Sequence, residues 1–160
     1  MTTVEIWTDG AVSIKKKNSP GGFGCAYVYE GVLLETLSGG EYNTTSQRME
    51  LMGVIAGLEN AFDYKKINNL DVSVLDIKSD SAYIIDCMEG TWYREWIKND
   101  WTSSDGVLIK NRDLWQRLLL AVNFLTDRGI LITWSKIKGH SGLLFNEVAD
   151  KLAVNAKKNL

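Results

Sequence analysis

Val4-Glu5-Ile6-Trp7-Thr8 alternates in the way that suits a sheet strand, and Asp9 closes it. Cys25-Ala26-Tyr27-Val28-Tyr29 and Val32-Leu33-Leu34-Glu35-Thr36-Leu37 read as two further strands. Pro20-Gly21-Gly22-Phe23-Gly24 is a turn before the first of these, Glu30-Gly31 a tight turn between them, and Gly39-Gly40 the stop. Gaps this short favour antiparallel hairpins.

The period then changes. Leu51, Ile55, Leu58 and Phe62 recur at offsets of four, three and four, which predicts an amphipathic helix. Thr44 and Gln47 stand at capping-box spacing at its start. Val72–Ile77 reads as a strand ending near Asp80, Ser81–Met88 as a short helix, and the tryptophan-dense 91–101 as another. Asn111 can cap a helix that carries Leu114, Leu118, Ala121 and Leu125 on one face, and Asp127-Arg128-Gly129 stops it. Ile130–Ile137 is the last strand, and the last helix carries Phe145, Ala149, Leu152 and Ala156. The order β-β-β-α-β-α-α-α-β-α predicts an α/β fold. Its sheet should be mixed, with right-handed parallel crossovers in the second half and helices covering the sheet.

The chain has 160 residues, 45% of them hydrophobic and 24% charged, one proline and no long Ser/Gly linker, so residues 1–160 read as a single globular domain. Disordered, coiled-coil and collagen-like chains are excluded. No window approaches about 18 consecutive apolar residues, and the N-terminus lacks a signal-peptide profile, so we expect a cytoplasmic protein with no membrane contact. Cys25 and Cys87 cannot form a CxxC site or a disulfide framework; they read as buried thiols in a reducing compartment. The net charge of −2 does not advertise nucleic-acid binding. It does not exclude it, because acids gathered around a metal depress the net charge without repelling a substrate.

Acids stand where α/β folds place their chemistry. Asp9 and Asp80 lie at strand ends, and Glu50 and Asp150 on helices that follow strands. Taken singly, each is equally a cap, a turn former or a solvated group. If the four converge, they cannot all stay ionised without cations, since each raises the next one's pKa. Oxygen ligands without sulfur or imidazole select Mg²⁺ or Mn²⁺, and two such ions about 3.5–4 Å apart are the usual device for phosphodiester cleavage. His140, on the glycine-flanked loop before the Asp150 helix, suits a proton shuttle.

These motifs together resemble the bacterial type 1 ribonuclease H family. The likeness rests on Thr8-Asp9-Gly10, Gly21-Gly22-Phe23-Gly24, Thr44–Met52, Ser79-Asp80-Ser81, Ile109–Gln116, and Lys138-Gly139-His140-Ser141-Gly142 with Asn146 and Asp150. It implies a ribonuclease H-like five-stranded mixed sheet in the order 3-2-1-4-5. It also implies hydrolysis of the RNA strand of an RNA–DNA hybrid, leaving a 3′-hydroxyl and a 5′-phosphate. By that resemblance Asp9, Glu50, Asp80 and Asp150 hold two Mg²⁺ ions, with Mn²⁺ as a substitute, and His140 assists turnover or product release.

The resemblance also makes Thr45 a ligand for a DNA phosphate, Ser46 and Gln47 minor-groove contacts, and Asn18 a contact from the first loop. Asn146 is placed with the substrate, and Trp92 against the DNA-strand channel. Contacts to backbone rather than base edges imply cleavage largely independent of sequence.

The stretch from about 91 to 117 resembles the family's basic handle. Arg94, Lys98, Lys110, Arg112 and Arg117 are offset there by Glu95, Asp100, Asp105 and Asp113, and Glu95 stands where the family often has an asparagine. Trp96, Trp101 and Trp115 read as a packed cluster. Lys15-Lys16-Lys17 reads either as a solvated loop or as a displaced basic contact that compensates for a weak handle. A stand-alone monomer is expected. The rival readings are a hybrid-binding module without catalysis, and a resolvase or transposase on the same fold.

Overall fold

The computed structural model describes residues 1–139 and 143–160. Its sheet has the strands β1 (Thr3–Val12), β2 (Gly21–Tyr29), β3 (Val32–Glu41), β4 (Val74–Ser79) and β5 (Leu131–Lys136), in the order β3-β2-β1-β4-β5. β1–β2 and β2–β3 are antiparallel; β1–β4 and β4–β5 are parallel. The mixed sheet is therefore as expected. The helices are α1 (Ser46–Asn60), α2 (Lys65–Asn68), α3 (Ala82–Glu89), α4 (Tyr93–Lys98), α5 (Arg112–Asp127) and α6 (Leu144–Lys158), with a 3-10 turn at Ala61–Asp63.

Strand alternation sorts the side chains to two faces. Ile6, Cys25 and Tyr27 join the large core against Leu51, Ile55, Leu58, Trp115 and Leu118. Trp7, Ala26 and Val28 point the other way and meet Phe145 and Val148 of α6. Cys25 and Cys87 are free and buried, and the Cys25 thiol donates to the Gly53 carbonyl at 2.9 Å.

Several local expectations are corrected. Gly21–Gly24 is strand rather than turn, and β3 runs through Gly39-Gly40. The reason at Gly24 is close approach: a Cβ there would come within 2.5 Å of the Ala149 carbonyl oxygen, so its bareness lets α6 lie on β2. The α1 cap is Thr45, not Thr44; its hydroxyl accepts from the Arg48 amide at 3.3 Å, while the Thr44 hydroxyl donates to Glu41 at 2.8 Å. Asn111 precedes α5 with φ of 61° and makes no side-chain cap; its Oδ1 accepts from Arg48 at 3.3 Å instead. The Ala61–Asp63 turn and α2 are too short to show a period in the sequence.

Within 91–117, only Tyr93–Lys98 is helical before α5, and a single bridge joins Thr102 to Leu108. Trp96 packs against Trp101 and Trp115 at centroid distances of 6.1 and 5.1 Å, the cluster expected.

Candidate active site

Asp9 does not close β1. It lies inside the strand, opposite Gly24, and β1 continues to Val12. Its position beside Asp80 follows from register. The parallel pairing of β1 with β4 ends at Trp7 and Lys78. Two residues further on stand Asp9, still within β1, and Asp80, one residue past the end of β4. Ser79 and Ser81 shape that stop. The Ser79 hydroxyl accepts from the Ser81 amide at 3.1 Å, and the Ser81 hydroxyl caps α3 by accepting from Ile84 at 3.3 Å.

Glu50 arrives from α1. A Cβ on Gly10 would fall 2.7 Å from the Glu50 nitrogen, so only glycine allows α1 to come this near β1. Among the described residues, Asp9, Glu50 and Asp80 each offer a carboxylate oxygen, and these oxygens all lie within 4.8 Å of one another. Asp150 is outside that trio but near enough for its charge to act on Asp9. It sits on α6 four residues after Asn146, which is buried and whose Oδ1 has no hydrogen-bond partner among the described residues. Asn146, Glu147, Asp150 and Lys151 line an adjoining hollow of about 380 Å³.

The electrostatics follow from crowding. Burial, then the charge of Asp80, push Asp9 up to about 7, although the Gly10 amide donates to its Oδ1 at 2.9 Å. Burial, then Asp9 and Asp80, push Glu50 up to about 9. Glu50 is only half-buried as a residue, but its Oε2 is fully enclosed and has no hydrogen-bond partner among the described residues. A cluster of oxygen donors that resists ionisation and holds an orphaned carboxylate oxygen fits divalent cations.

Of the other expected site residues, Thr45, Ser46 and Gln47 form the exposed start of α1. Asn18 is exposed, and its carbonyl accepts from the Asn43 amide at 2.6 Å, which ties the first loop to that helix start. Trp92 is 49% exposed at the start of α4, and Glu95 is exposed on the same helix. His140 lies outside the described residues.

Sequence reasoning missed the work of Arg48. It reaches Glu41 at 3.3 Å and both oxygens of Asp113 at 3.1 and 3.0 Å, fastening the start of α1 to β3 and α5. It was visible only as one letter of the Thr44–Met52 motif.

A mixed α/β sheet carrying an oxygen-only acid cluster is a geometry that fits divalent cations. The RNase H family model matches residues 1–158. Ribonuclease H of Caldanaerobacter subterraneus subsp. tengcongensis is 38% identical over 155 residues, covering 97% of this chain and 91% of the relative. Ribonuclease H of Hahella chejuensis is 40% identical over 153 residues, covering 96% and 92%. The crystal structure of LC9-RNase H1, a type 1 RNase H with the type 2 active-site motif, superposes with a TM-score of 0.79 at 29% identity, covering 99% of this chain and 73% of that one. LC11-RNase H1 in complex with an RNA/DNA hybrid shares the fold, with a TM-score of 0.71 at 20% identity, covering 98% and 97%. The chain belongs to the RNase H family, whose members are divalent-metal-dependent hydrolases that cleave RNA in hybrids.

Proposed function

We propose that this chain is an endonuclease that hydrolyses the RNA strand of RNA–DNA hybrids with little sequence preference, leaving 3′-hydroxyl and 5′-phosphate ends. The carrying observation is the trio Asp9, Glu50 and Asp80, with oxygens within 4.8 Å of one another. These three and Asp150 would hold two Mg²⁺ ions, or Mn²⁺ in their place. Bound cations would acidify an attacking water and offset negative charge at the scissile phosphate.

The chain's own residues supply position. Asp9, inside a strand and held by the Gly10 amide, is the rigid member. Glu50 contributes the enclosed, unpartnered Oε2, and Asp150 the flank facing the hollow beside Asn146. At the start of α1 the free backbone amides face outward and favour phosphate. Thr45, Ser46 and Gln47 present them, with Asn18 tied to this end through Asn43, and Trp92 offers an exposed ring at the start of α4. Choice of hybrid over DNA duplex would come from 2′-hydroxyls displayed on one strand only. His140 is assigned the proton-handling role on its place in the sequence alone.

We assign the protein to the cytosol as a single-domain monomer with a handle-like 91–117 segment. The two buried free thiols suit a reducing compartment. Among the described residues no helix is long and apolar enough to cross a membrane.

The test is incubation of a hybrid labelled on both strands with and without Mg²⁺, beside a DNA duplex and a four-way junction. RNA-strand cleavage only in the hybrid and only with metal is expected. Cleavage of the DNA strand or of the junction would overturn the reading.

A further inference from the structure

The handle stays only weakly basic once its ion pairs are counted. Arg117 is committed to Glu59 at 2.6 Å and Asp113 is held by Arg48, which leaves Arg94, Lys98, Lys110 and Arg112 against Glu95, Asp100 and Asp105. A different surface concentrates cations. Lys16 from the loop between β1 and β2, and Lys157 and Lys158 from the end of α6, line one shallow pocket of about 130 Å³ with Ser13, Pro20 and Tyr42. Lys15, Lys16, Lys17 and Lys158 are exposed, and Lys157 is half-buried. Among the described residues, none of the five forms an ion pair. More than a hundred residues separate the two lysine groups in the chain, so only the fold makes them neighbours.

The patch stands in a definite relation to the acids. β1 leads from Asp9 through Val12 into the lysine loop, and that loop is tied to the start of α1 by the Asn18–Asn43 and Ser19–Thr44 backbone bonds, at 2.6 and 3.3 Å. On α6, Lys157 follows Asp150 by seven residues, which returns to the same helix face. At 1.5 Å per residue the separation along the axis is about 10 Å. Successive phosphates of one strand advance about 3.4 Å along a duplex, so a strand running alongside α6 would meet the patch about three base steps from the acids.

We propose that Lys15–Lys17 with Lys157 and Lys158 is a second phosphate-binding site for the hybrid, gripping backbone about three base steps from the cleaved bond. It takes over part of the work of the handle. The proposal rests on the hybrid nuclease reading and adds to it where the substrate's charge is met. Flexible, strongly hydrated ammonium groups suit this task, since they act as point charges on phosphate and carry no base preference.

The test uses two variants of the full chain, Lys15→Gln/Lys16→Gln/Lys17→Gln and Lys157→Gln/Lys158→Gln. None of these residues touches the acid cluster, and unchanged melting temperatures establish that both variants fold. With hybrids long enough to cover the patch, KM should rise about five-fold at low salt with kcat unchanged, and the slope of log KM against log salt should fall by about 1 or more. Hybrids too short to reach the patch should be cleaved by variants and parent alike. A parental KM and salt slope in both variants would overturn the proposal, as would an equal loss on short hybrids. If the parent chain cleaves no hybrid, the nuclease reading fails. Anisotropy of a labelled hybrid without divalent cation then still tests the patch by its salt slope.

Discussion

Gly10 lies so close to Glu50 that a Cβ on it would stand 2.7 Å from the glutamate's backbone nitrogen. The contact sets how near α1 comes to β1, and therefore where the Glu50 carboxylate falls relative to Asp9.

Gly10→Ala should push α1 outward, because the blocking atoms are backbone and cannot rotate away. Overpacking of this kind costs about 1–3 kcal/mol. The larger effect should be on chemistry, with a loss of ten-fold or more in single-turnover hybrid cleavage, as expected when a reacting group is misplaced. Parental cleavage together with a parental melting temperature would show that α1 is not held by this contact.

Asp9→Asn should abolish cleavage and, without metal, stabilise the fold. The buried carboxylate is pushed up to about 7 by desolvation and by Asp80, so its ionised form is a burden at neutral pH. The expected gain is about 1–2 kcal/mol, or about 2–8 °C for a chain of this size. Added Mg²⁺ should stabilise the parent and leave the variant nearly unmoved. Melting in chelator and in Mg²⁺ checks both signs. A variant that melts lower in chelator would contradict the crowding argument.

The thiols should be inert in the native state. Cys25 and Cys87 are fully buried, and burial pushes each up to about 12. A thiol reagent at pH 8 should label neither until denaturant is added, after which both should react. Stoichiometric labelling of the folded chain would show that one core face opens.

How much of this was legible in the sequence depended on range. Leu51, Ile55 and Leu58 face the core as their period required, while Phe62, expected on the same helix, falls past the end of α1 in the Ala61–Asp63 turn; Leu114, Leu118, Ala121 and Leu125 on α5 face the core as expected. The glycines misled, because Gly24 is bare to admit α6 rather than to turn the chain, which only a distant element reveals. The nearness of Asp9 to Asp80 depends on the parallel register of β1 and β4, and no local pattern encodes it. The Arg48 fork onto Asp113 spans 65 positions and was hidden for the same reason.

That fork makes its own prediction. Asp113 is held below the usual carboxylate range by the Arg48 hydrogen bonds, yet its side chain is 66% exposed, so solvent discounts the pair. A double-mutant cycle of Arg48→Met and Asp113→Asn, read by urea denaturation, should return a coupling of about 0.5–1 kcal/mol. A coupling indistinguishable from zero would make the fork ornamental.

The last expectation concerns pH. Asp9 and Glu50 are raised from 3.8 and 4.5 to about 7 and about 9, so the metal-free native state binds more protons than the unfolded chain between those limits. Stability must then fall as pH rises, since the slope follows the difference in bound protons. Their contribution is complete below about pH 4 and is lost progressively above it, the Asp9 part being gone once pH passes about 7 and the Glu50 part once it passes about 9. Urea denaturation in chelator should show stability declining across that window, and Asp9→Asn should flatten its lower half. Mg²⁺ should reverse the trend, because it binds the ionised carboxylates and must displace their protons. Titration calorimetry in two buffers of different ionisation enthalpy should therefore detect proton release at pH 7 and less of it near pH 9. Release that grows with pH would place the shared protons elsewhere.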